Sequence, residues 1–305
     1  MCSHILHSIN IKEVQKMQTK RPDWLRVKLP GGEEYHRIKG LLRTANLHTV
    51  CEEAVCPNIG ECFGQGTATF LILGDVCTRR CNFCAVAKGV PSALEEGEPE
   101  KIARVVKQIG LRHIVITSVT RDDLPDGGAG HYAKTIKATR TENPTCTIEV
   151  LIPDFRGLEK AVEIVLNESP HILNRNLETV PRLYPDVRPG ADYERSLSLL
   201  EKAKERDPEI TTKSGLILGM CEEHYEIIDV MSDLRDVGCD ILTIGHYLCP
   251  SKGFLPVKRF YHPDEFIHLK YEGEKMGFRH VESGPLVRSS YHAAEQFKLT
   301  PFGQD

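Results

Sequence analysis

Residues 68–84 read Ala-Thr-Phe-Leu-Ile-Leu-Gly-Asp-Val-Cys-Thr-Arg-Arg-Cys-Asn-Phe-Cys, and this stretch decides the fold. Its first six residues are apolar or β-branched, which is typical of a buried parallel strand. A Gly-Asp pair ends the strand, and Cys77, Cys81 and Cys84 follow at the spacing C-x3-C-x2-C. A strand that leads directly into a loop of metal ligands is typical of an α/β barrel, because barrels carry their chemistry at the carboxyl ends of the strands.

Apolar runs and amphipathic patterns alternate along the rest of the chain. Further strands are predicted at residues 113–117, 147–152, 171–173, 211–218 and 240–244. Helices are predicted at residues 99–109, 158–166, 192–204 and 222–237, where apolar residues recur at helical spacing. A helix at 263–276 and a short strand at 279–282 follow. This order predicts an α/β fold with a parallel sheet, a partial (β/α)6 barrel of the TIM type with N-terminal and C-terminal extensions.

The composition argues against several classes of protein. The chain has 305 residues and a formal net charge of −4, so we expect neither a nucleic-acid nor a membrane partner. No run approaches the roughly 18–20 apolar residues that cross a bilayer, and residues 1–10 do not resemble a secretory signal. We therefore expect a cytoplasmic protein, in which eleven cysteines favour metal ligation over a disulfide framework.

Three thiols on one tight loop fit a 4Fe–4S cluster better than the alternatives. Cysteine thiolates are the usual cluster ligands, and three of them leave the fourth iron open to a substrate or cofactor. A structural zinc site would need four closed ligands, usually in paired C-x2–4-C units. Reduced core thiols would lie on apolar runs, whereas these cysteines lie among charged and amide side chains. The sequence therefore predicts chemistry at Cys77, Cys81 and Cys84.

A second cysteine triad precedes the first strand. Cys51, Cys56 and Cys62 follow the spacing C-x4-C-x5-C, again with no adjacent fourth ligand. The fourth ligand must come from elsewhere in the chain, or the cluster keeps an open iron. Zinc with a distant fourth ligand is an alternative, but the neighbouring triad favours a second iron–sulfur cluster. The remaining cysteines are predicted to be lone thiols, and Cys146 and Cys239 to be small core residues.

The first triad resembles the signature of the radical S-adenosylmethionine (SAM) superfamily, C-x3-C-x-aromatic-C after the first barrel strand. The resemblance implies that SAM binds the open iron through its amine and carboxylate groups. It also implies reductive cleavage of SAM to methionine and a 5′-deoxyadenosyl radical. Phe83 matches the aromatic residue that lies beside the adenine in this superfamily.

The two triads together resemble the lipoyl synthase family, over residues 40–295. Besides the triads, the similar segments are residues 66–75, 115–124, 149–155, 176–180, 187–193, 213–216 and 284–292. The resemblance implies sulfur insertion at C6 and C8 of an octanoyl group on a lysine of a carrier protein, which forms the lipoyl group. The implied cofactors are two 4Fe–4S clusters and SAM. The implied partners are an octanoylated lipoyl carrier domain or glycine cleavage H protein, and a flavodoxin or ferredoxin as electron donor.

The resemblance also assigns further site residues. In this family a serine of a C-terminal Arg-Ser-Ser-Tyr motif binds one iron of the auxiliary cluster, which matches Ser290, with Ser289 as the fallback. An oxygen ligand suits a soft thiolate site poorly, so it should leave readily when sulfide is given up. Arg288 is expected to position this loop. Four residues in family-like segments are candidate SAM contacts: Thr117, Ser118, Asn176 and Arg188. The alternative for each is a strand-end polar group satisfied by the backbone.

The predicted organisation has three parts. Residues 1–66, which show no regular pattern, form an N-terminal extension with the auxiliary cysteines; residues 67–282 form the radical SAM barrel; residues 283–305 carry the Arg-Ser-Ser-Tyr motif. Between residues 12 and 43, nine basic residues stand against four acids, which predicts a solvated arm or a docking surface for the acidic carrier. The proposed contacts of this surface are Lys20, Arg21, Arg26 and Lys28.

Three other functions fit parts of the pattern. Another two-cluster radical SAM sulfurtransferase, such as a methylthiotransferase acting on RNA or protein, would share both triads but usually adds a nucleic-acid-binding module. An electron carrier would ligate each cluster with four cysteines. A zinc-binding interaction protein would need closed zinc sites. The chain also departs from the lipoyl synthase pattern at Gly-His-Tyr-Leu (residues 245–248), where Gly-Gln-Tyr-Leu is usual. This change is expected near the substrate face and permits a different acyl chain.

Overall fold

Eight strands form one continuous sheet in the computed structural model, which describes residues 21–27 and 29–298. The strands are, in chain order, β1 (His48–Thr49), β2 (Thr69–Ile72), β3 (Val76–Cys77), β4 (Ala87–Lys88), β5 (His113–Ser118), β6 (Thr147–Leu151), β7 (Ile172–Asn174), β8 (Thr211–Leu218), β9 (Ile241–His246) and β10 (His280–Ser283). The large sheet has the order β1-β2-β5-β6-β7-β8-β9-β10, and β3 pairs with β4 in a small second sheet.

The large sheet is an open barrel. From β2 to β10 each neighbouring pair is parallel, whereas β1 pairs antiparallel with β2 at the edge. The two edge strands do not pair with each other within the described part of the chain. The predicted α/β partial barrel is therefore confirmed, with one more parallel strand, β10, after the six of the predicted barrel.

Helices cover the sheet and bury their apolar faces against it. They are α1 (Glu33–Thr44), α2 (Val50–Glu53), α3 (Ile59–Gly64), α4 (Glu98–Ile109), α5 (Ala129–Glu142), α6 (Glu159–Leu166), α7 (Tyr184–Val187), α8 (Tyr193–Arg206), α9 (His224–Asp236), α10 (Pro263–Lys275) and α11 (Ala293–Lys298). In α4, Ile102 and Val106 are buried, and Gly110 ends the helix in the left-handed conformation that glycine tolerates. All five predicted helices form within two residues of their expected bounds.

Helix α5 was not predicted, although it completes the β-α alternation. Its buried face includes His131, Thr135 and Thr139, so the sequence shows little apolar periodicity there. Two of these polar groups have partners, because the His131 ring lies 2.6 Å from the Glu98 carboxylate and the Thr135 hydroxyl donates to a backbone carbonyl one turn earlier. The buried Thr139 hydroxyl has no partner among the described residues. Polar side chains on the buried face thus replaced the apolar pattern.

The prediction that residues 1–66 are irregular is wrong for the described part of that segment. Helix α1 buries Tyr35, Ile38 and Leu42, which recur at helical spacing and were a usable signal. Two further short helices, α2 and α3, carry cysteines of the second triad. The extension therefore packs as an ordered layer, and Tyr35 contacts the ring of Phe63 in α3 at a centroid distance of 5.7 Å.

The segment after β10 folds back over the end of β9, and a glycine makes this possible. The Gly284 N–H donates to the Ile244 carbonyl at 3.0 Å. A Cβ atom on Gly245 would lie 2.0 Å from the carbonyl oxygen of Val287. Any other residue would block this approach of two backbones, so the docking of the Arg-Ser-Ser-Tyr segment depends on Gly245.

We expect Gly245→Ala to destabilise the protein by about 1–3 kcal/mol, because the added methyl group overpacks a tight contact. Urea unfolding, with hydrogen exchange of residues 284–292, measures the effect. Gly40→Ala is the matched control, because it lies inside α1 and its Cβ would meet no atom within 4 Å. Alanine at that position should leave stability unchanged or raise it by about 0.5–1 kcal/mol. Equal unfolding and exchange in the two variants would contradict the role of Gly245.

Candidate active site

The loop that carries Cys77, Cys81 and Cys84 is closed by the small parallel sheet of β3 and β4, called here the ribbon. The Gly89 N–H, just after β4, donates to the Cys77 carbonyl at 3.0 Å. The Lys88 ammonium donates to the Cys81 carbonyl at 2.8 Å. The outer strand of the ribbon therefore holds the backbone of two of the three cysteines.

The ends of neighbouring barrel strands hold the same loop from the other side. After β5, the Thr120 N–H donates to Cys77 Sγ at 3.3 Å, and the Thr78 hydroxyl donates to the Thr120 carbonyl at 2.9 Å. Beyond β7, the Val187 carbonyl accepts from the Asn82 N–H at 2.9 Å. The loop thus lies at the carboxyl ends of the strands, where α/β barrels carry their chemistry.

Arg79 supplies the buried charge that fixes this loop. Its guanidinium donates to Asp122 Oδ2 at 2.8 Å and to Asp154 Oδ1 at 2.5 Å. The second oxygen of Asp154 lies 3.6 Å from Arg175 and 3.5 Å from Arg195. Burial raises the pKa of Asp154, but Arg79 and Arg175 outweigh it and hold that pKa well below its usual range. The carboxylate therefore stays ionised and ties the loop to the end of β6.

The thiols of this loop influence one another's ionisation. Burial, with a smaller contribution from Cys81 and Cys77, raises the pKa of Cys84 to about 12. Burial also raises the pKa of Cys81, against the opposing effect of the Arg188 guanidinium. These two thiols are therefore protonated at neutral pH, and a metal that binds them must displace the protons.

The second triad is gathered by two short helices of the N-terminal extension. Cys51 lies in α2, whose N-terminus is capped by the Thr49 hydroxyl, and Cys62 lies in α3. Burial and the neighbouring Cys56 and Cys62 raise the pKa of Cys51 far above its usual range. Burial and Cys56 raise the pKa of Cys62 to about 12. Cys56 therefore lies near enough to Cys51 and Cys62 to affect the pKa of both thiols.

Ser290 faces this second triad. The Thr69 hydroxyl, at the start of β2, donates to Ser290 Oγ at 2.8 Å. Thr69 also hydrogen-bonds the Cys51 thiol, which lowers the thiol pKa against the effect of burial. The neighbouring Tyr291 hydroxyl donates to Glu61 in α3 at 3.0 Å, so the C-terminal segment is bound to the helix that carries Cys62.

Ser289 faces the barrel instead. Its hydroxyl accepts from Asn174 Nδ2 at 2.9 Å and donates to Asn176 Oδ1 at 3.2 Å. Asn174 Nδ2 also donates to Glu149 Oε1 at 2.9 Å, and Lys213 Nζ lies 3.0 Å from that oxygen. Burial raises the pKa of Glu149, but the Lys213 ammonium and further hydrogen bonds outweigh it and lower the pKa to about 2. A buried ion pair therefore supports the loop that carries both serines.

Comparison with known proteins agrees with this arrangement. The family model of the radical SAM superfamily matches residues 71–245, and that of the N-terminal domain of lipoyl synthase matches residues 6–56. The chain is 58% identical to the lipoyl synthase of Nitrosococcus oceani, over 91% of this chain and 86% of that protein. The chain belongs to the lipoyl synthase family. The lipoyl synthase of Rubrobacter xylanophilus is 57% identical, over 90% of this chain and 86% of that protein.

Two solved structures share the fold at low sequence identity. SuiB from Streptococcus suis, bound to SAM, has a TM-score of 0.55 and 15% identity, over 74% of this chain and 53% of that chain. HydG, a maturase of the [FeFe]-hydrogenase, has the same TM-score and identity, over 68% of this chain and 49% of that chain. The agreement is in the fold of the radical SAM superfamily.

Family membership gives the chain SAM and 4Fe–4S clusters as cofactors. The six cysteines of the two triads are free thiols, the form that can bind iron once deprotonated. The alternative function, another two-cluster radical SAM sulfurtransferase, is not favoured, because lipoyl synthases match about nine-tenths of the chain.

The predicted SAM contacts lie near the first triad, and several have structural partners. The Thr117 hydroxyl donates to a carbonyl of β6 at 3.1 Å, and Ser118 ends β5. Arg188 is buried and donates to the carbonyl of Asn176 at 2.9 Å, so it orders the chain after β7. Phe83 is half-buried against the core of the second half of the barrel. The role of each in binding SAM stays a prediction.

Several residues that build the site were missed in the sequence. They are Thr69, Arg79, Asp122, Asp154 and Asn174. Two of them could have been predicted from their position at a strand end, since Asn174 is the last residue of β7 and Asp154 follows β6 closely. Polar residues at the carboxyl ends of predicted strands are candidates for any barrel site. Thr69 lies inside an apolar strand and gave no such signal.

The family departure at His246 falls on the last residue of β9. His246 is buried and stacks on Phe260 at 5.3 Å, with Phe266 of α10 also in contact. That this change lies near the substrate face stays a prediction. Arg288 lies near Cys56 and lowers the pKa of that thiol against the larger effect of burial, and its role in positioning the loop stays a prediction.

Other expectations concern the chain away from the site. Cys146 and Cys239 are buried, as predicted, whereas Cys2 lies outside the described residues. Of the predicted carrier-docking residues, Lys20 and Lys28 also lie outside them, and Arg26 is exposed and pairs with Asp23 at 2.6 Å. None of the helices that the structure describes is both long and apolar enough to cross a bilayer.

We expect Glu149→Gln to destabilise the protein by about 3–5 kcal/mol at pH 7, because it leaves the buried Lys213 ammonium without a counter-ion. The double variant Glu149→Gln/Lys213→Met should recover most of this loss, which urea unfolding would measure. Equal destabilisation of the single and double variants would show that the charge pair is not the cause.

The same pair predicts a pH dependence. The folded pKa of Glu149 is about 2, below an unfolded value of about 4.3. The stability that the ionised Glu149 carboxylate contributes is therefore present in full above about pH 4.3, and it is lost as the pH falls toward the folded pKa. The stability difference between the unsubstituted chain and Glu149→Gln should shrink from pH 5 to pH 3. A stability difference that stays constant from pH 5 to pH 3 would contradict this role of the Glu149 charge.

Proposed function

We propose that this protein inserts sulfur at C6 and C8 of an octanoyl group, amide-linked to a lysine of a carrier protein, and so forms the lipoyl group. The observation that carries the proposal is the gathering of two thiol triads at one barrel. Thr69 at the start of β2 contacts Ser290 and Cys51, and the loop with Cys77 follows the end of the same strand. A strand of four residues spans about 10 Å, so an extended acyl chain can reach both triads.

We propose the following division of labour for the chain. Residues 67–282 hold the SAM cluster, residues 1–66 bring the auxiliary thiols, and residues 283–305 bring the serine ligand. When bound, SAM and its cluster supply the radical that removes hydrogen, and the auxiliary cluster supplies the sulfur. Unactivated C–H bonds are beyond acid–base catalysis, so the chain's own task is to bind, orient and exclude water.

The first cluster is proposed to bind Cys77, Cys81 and Cys84, with one iron left for SAM. Arg79 and the ribbon fix the loop before any cofactor binds, and Thr120 already donates a hydrogen bond to the first sulfur. Such preorganisation reduces the entropy lost on binding. Phe83, Thr117, Ser118, Asn176 and Arg188 are the proposed SAM neighbours. The Arg188 guanidinium donates through Nη1 to the carbonyl of Asn176, while its buried Nε has no partner among the described residues.

The auxiliary cluster is proposed to bind Cys51, Cys56, Cys62 and Ser290. The choice of Ser290 over Ser289 rests on their partners, because Ser290 meets Thr69 beside Cys51 while Ser289 is engaged by two asparagines of the barrel. A hydroxyl oxygen is a poor match for iron in a soft thiolate set. It is therefore suited to release one iron when the cluster gives up sulfide.

The proposed partners follow from the reaction. The substrate is an octanoylated lipoyl carrier domain or glycine cleavage H protein, and the reductant is a flavodoxin or ferredoxin. The proposed location is the cytoplasm, where thiols stay reduced and can bind iron.

The function is tested with the anaerobically reconstituted protein, dithionite, SAM and an octanoyl-lysine peptide. Mass spectrometry should show that the peptide loses two hydrogens and gains two sulfurs, alongside 5′-deoxyadenosine. Cys81→Ala should abolish deoxyadenosine, whereas Cys56→Ala should keep it and lose the sulfur-bearing product. Deoxyadenosine without any sulfur-bearing peptide in the unsubstituted protein would refute the proposed substrate.

Alanine variants of the two serines are expected to differ in their effect on the auxiliary cluster. We expect Ser290→Ala to slow sulfur insertion more than about 100-fold, because it removes a ligand, and Ser289→Ala only about 10-fold, because it removes an outer-shell hydrogen bond. Mössbauer spectra of the isolated proteins should show an altered iron site only in Ser290→Ala. The reverse order of effects would make Ser289 the ligand.

A further inference from the structure

The outer face of the ribbon is an exposed basic surface that the reaction so far does not use. We call it the ribbon face and define it by Arg80, Lys88, Val90 and Lys252. We propose that the ribbon face docks an acidic, low-potential one-electron carrier protein, which reduces the cluster held by Cys77, Cys81 and Cys84. The inference rests on the proposed function and adds the place at which the electron enters.

The ribbon face is joined to the cluster ligands by single hydrogen bonds. Lys88 is exposed, and its ammonium donates to the Cys81 carbonyl at 2.8 Å. Gly89, which precedes the exposed Val90, donates its N–H to the Cys77 carbonyl at 3.0 Å. A partner on this face would therefore touch residues that contact the cysteine loop directly, which suits electron transfer over a short path.

The segment around Lys252 completes the face. The Leu255 N–H donates to the Asn82 carbonyl within the cysteine loop at 3.2 Å. The Lys88 ammonium lies 5.0 Å from the centre of the Phe254 ring. These contacts bring residues 252–255 beside the ribbon, so the exposed charges of Lys88 and Lys252 belong to one surface.

The contrast between Arg79 and Arg80 separates structural charge from available charge. Arg79 is buried, and its guanidinium is held by Asp122 and Asp154. Arg80 is exposed, and among residues 21–27 and 29–298 neither its side chain nor that of Lys252 has a hydrogen-bond or ion-pair partner. The loop is therefore fixed without Arg80, whose charge is free for a partner.

The chemistry of the ribbon face fits an acidic redox protein. The three basic side chains are exposed, and so is Val90, at 95%, two residues after Lys88. The chain as a whole carries a net charge of −4, so this positive surface is local. Two exposed acids accompany these segments: Asp75, directly before β3, and Asp186, whose carbonyl accepts from Asn82 Nδ2 at 2.7 Å. Weak electron-transfer interfaces are small, and complementary charge mainly speeds their association.

The test compares a protein donor with a chemical one. The double variant Arg80→Glu/Lys252→Glu leaves Lys88 in place, because Lys88 supports Cys81. The reconstituted protein receives SAM and the octanoyl-lysine peptide, and deoxyadenosine formation is followed against the concentration of flavodoxin, kept reduced by its reductase and NADPH. We expect the half-saturating flavodoxin concentration to rise about tenfold at low salt and the difference to vanish at high salt. With dithionite, the rate should stay within about twofold of the unsubstituted protein.

The matched control is Lys137→Glu/Lys160→Glu, which makes the same change in net charge at two exposed residues of α5 and α6. It should leave flavodoxin dependence close to that of the unsubstituted protein. Equal flavodoxin dependence in the two double variants would overturn the proposal, as would an equal loss of rate with dithionite.

Two further outcomes are distinguishable. If the ribbon-face variant weakens only the use of an octanoylated carrier domain, measured with dithionite, the face docks the carrier and the proposal is wrong. If the unsubstituted protein forms no sulfur-bearing product with dithionite, the proposed function fails. The docking proposal can still be tested then, because the flavodoxin comparison measures deoxyadenosine formation alone.

Discussion

The buried ion pair between Arg79 and Asp154 is the interaction on which the first site depends. The thiols proposed to accept a metal cluster do not hold their own loop, because Cys81 and Cys84 are buried and protonated before a metal binds. Ion pairs hold the loop instead, because Arg79, two residues after Cys77, is bound by Asp122 after β5 and by Asp154 after β6. A buried carboxylate among arginines is costly to break, so the loop is fixed to two strand ends independently of its metal.

The second site depends on a different constraint, the close approach of two backbones at Gly245. This approach lets the C-terminal segment lie over the end of β9. From there, Ser289 hydrogen-bonds Asn174 at the end of β7, and Ser290 hydrogen-bonds Thr69 at the start of β2. The two adjacent serines thus contact different strands of the barrel, and Asn174 in turn bonds Glu149.

The two sites share β2, which explains why the extension and the barrel form one unit. Thr69 at the start of this strand contacts the auxiliary site, and the radical SAM loop follows its end. Because a parallel strand inside a sheet is rigid, the relation between the triads is set by the barrel rather than by the loops that carry them. Arg80 and Lys252, by contrast, are exposed charges that take no part in holding the loop, whereas the exposed Lys88 donates to the Cys81 carbonyl.

The sequence by itself determined the fold class, the two cysteine triads and most helix and strand positions, because these depend on local periodicity and spacing. It also contained the Arg-Ser-Ser-Tyr motif, but only a family resemblance gave that motif a role. Helix α5 escaped because its buried face is polar, and its partners, such as Glu98 for His131, come from another helix.

Only the tertiary structure decided which serine hydrogen-bonds Thr69, that Arg79 is buried while Arg80 is exposed, and that His246 stacks on Phe260. Each of these depends on which residues distant in sequence become neighbours. Spacing along one strand or loop cannot supply that information, because a side chain's task is set by the charge, donor or carbonyl that the fold brings to it.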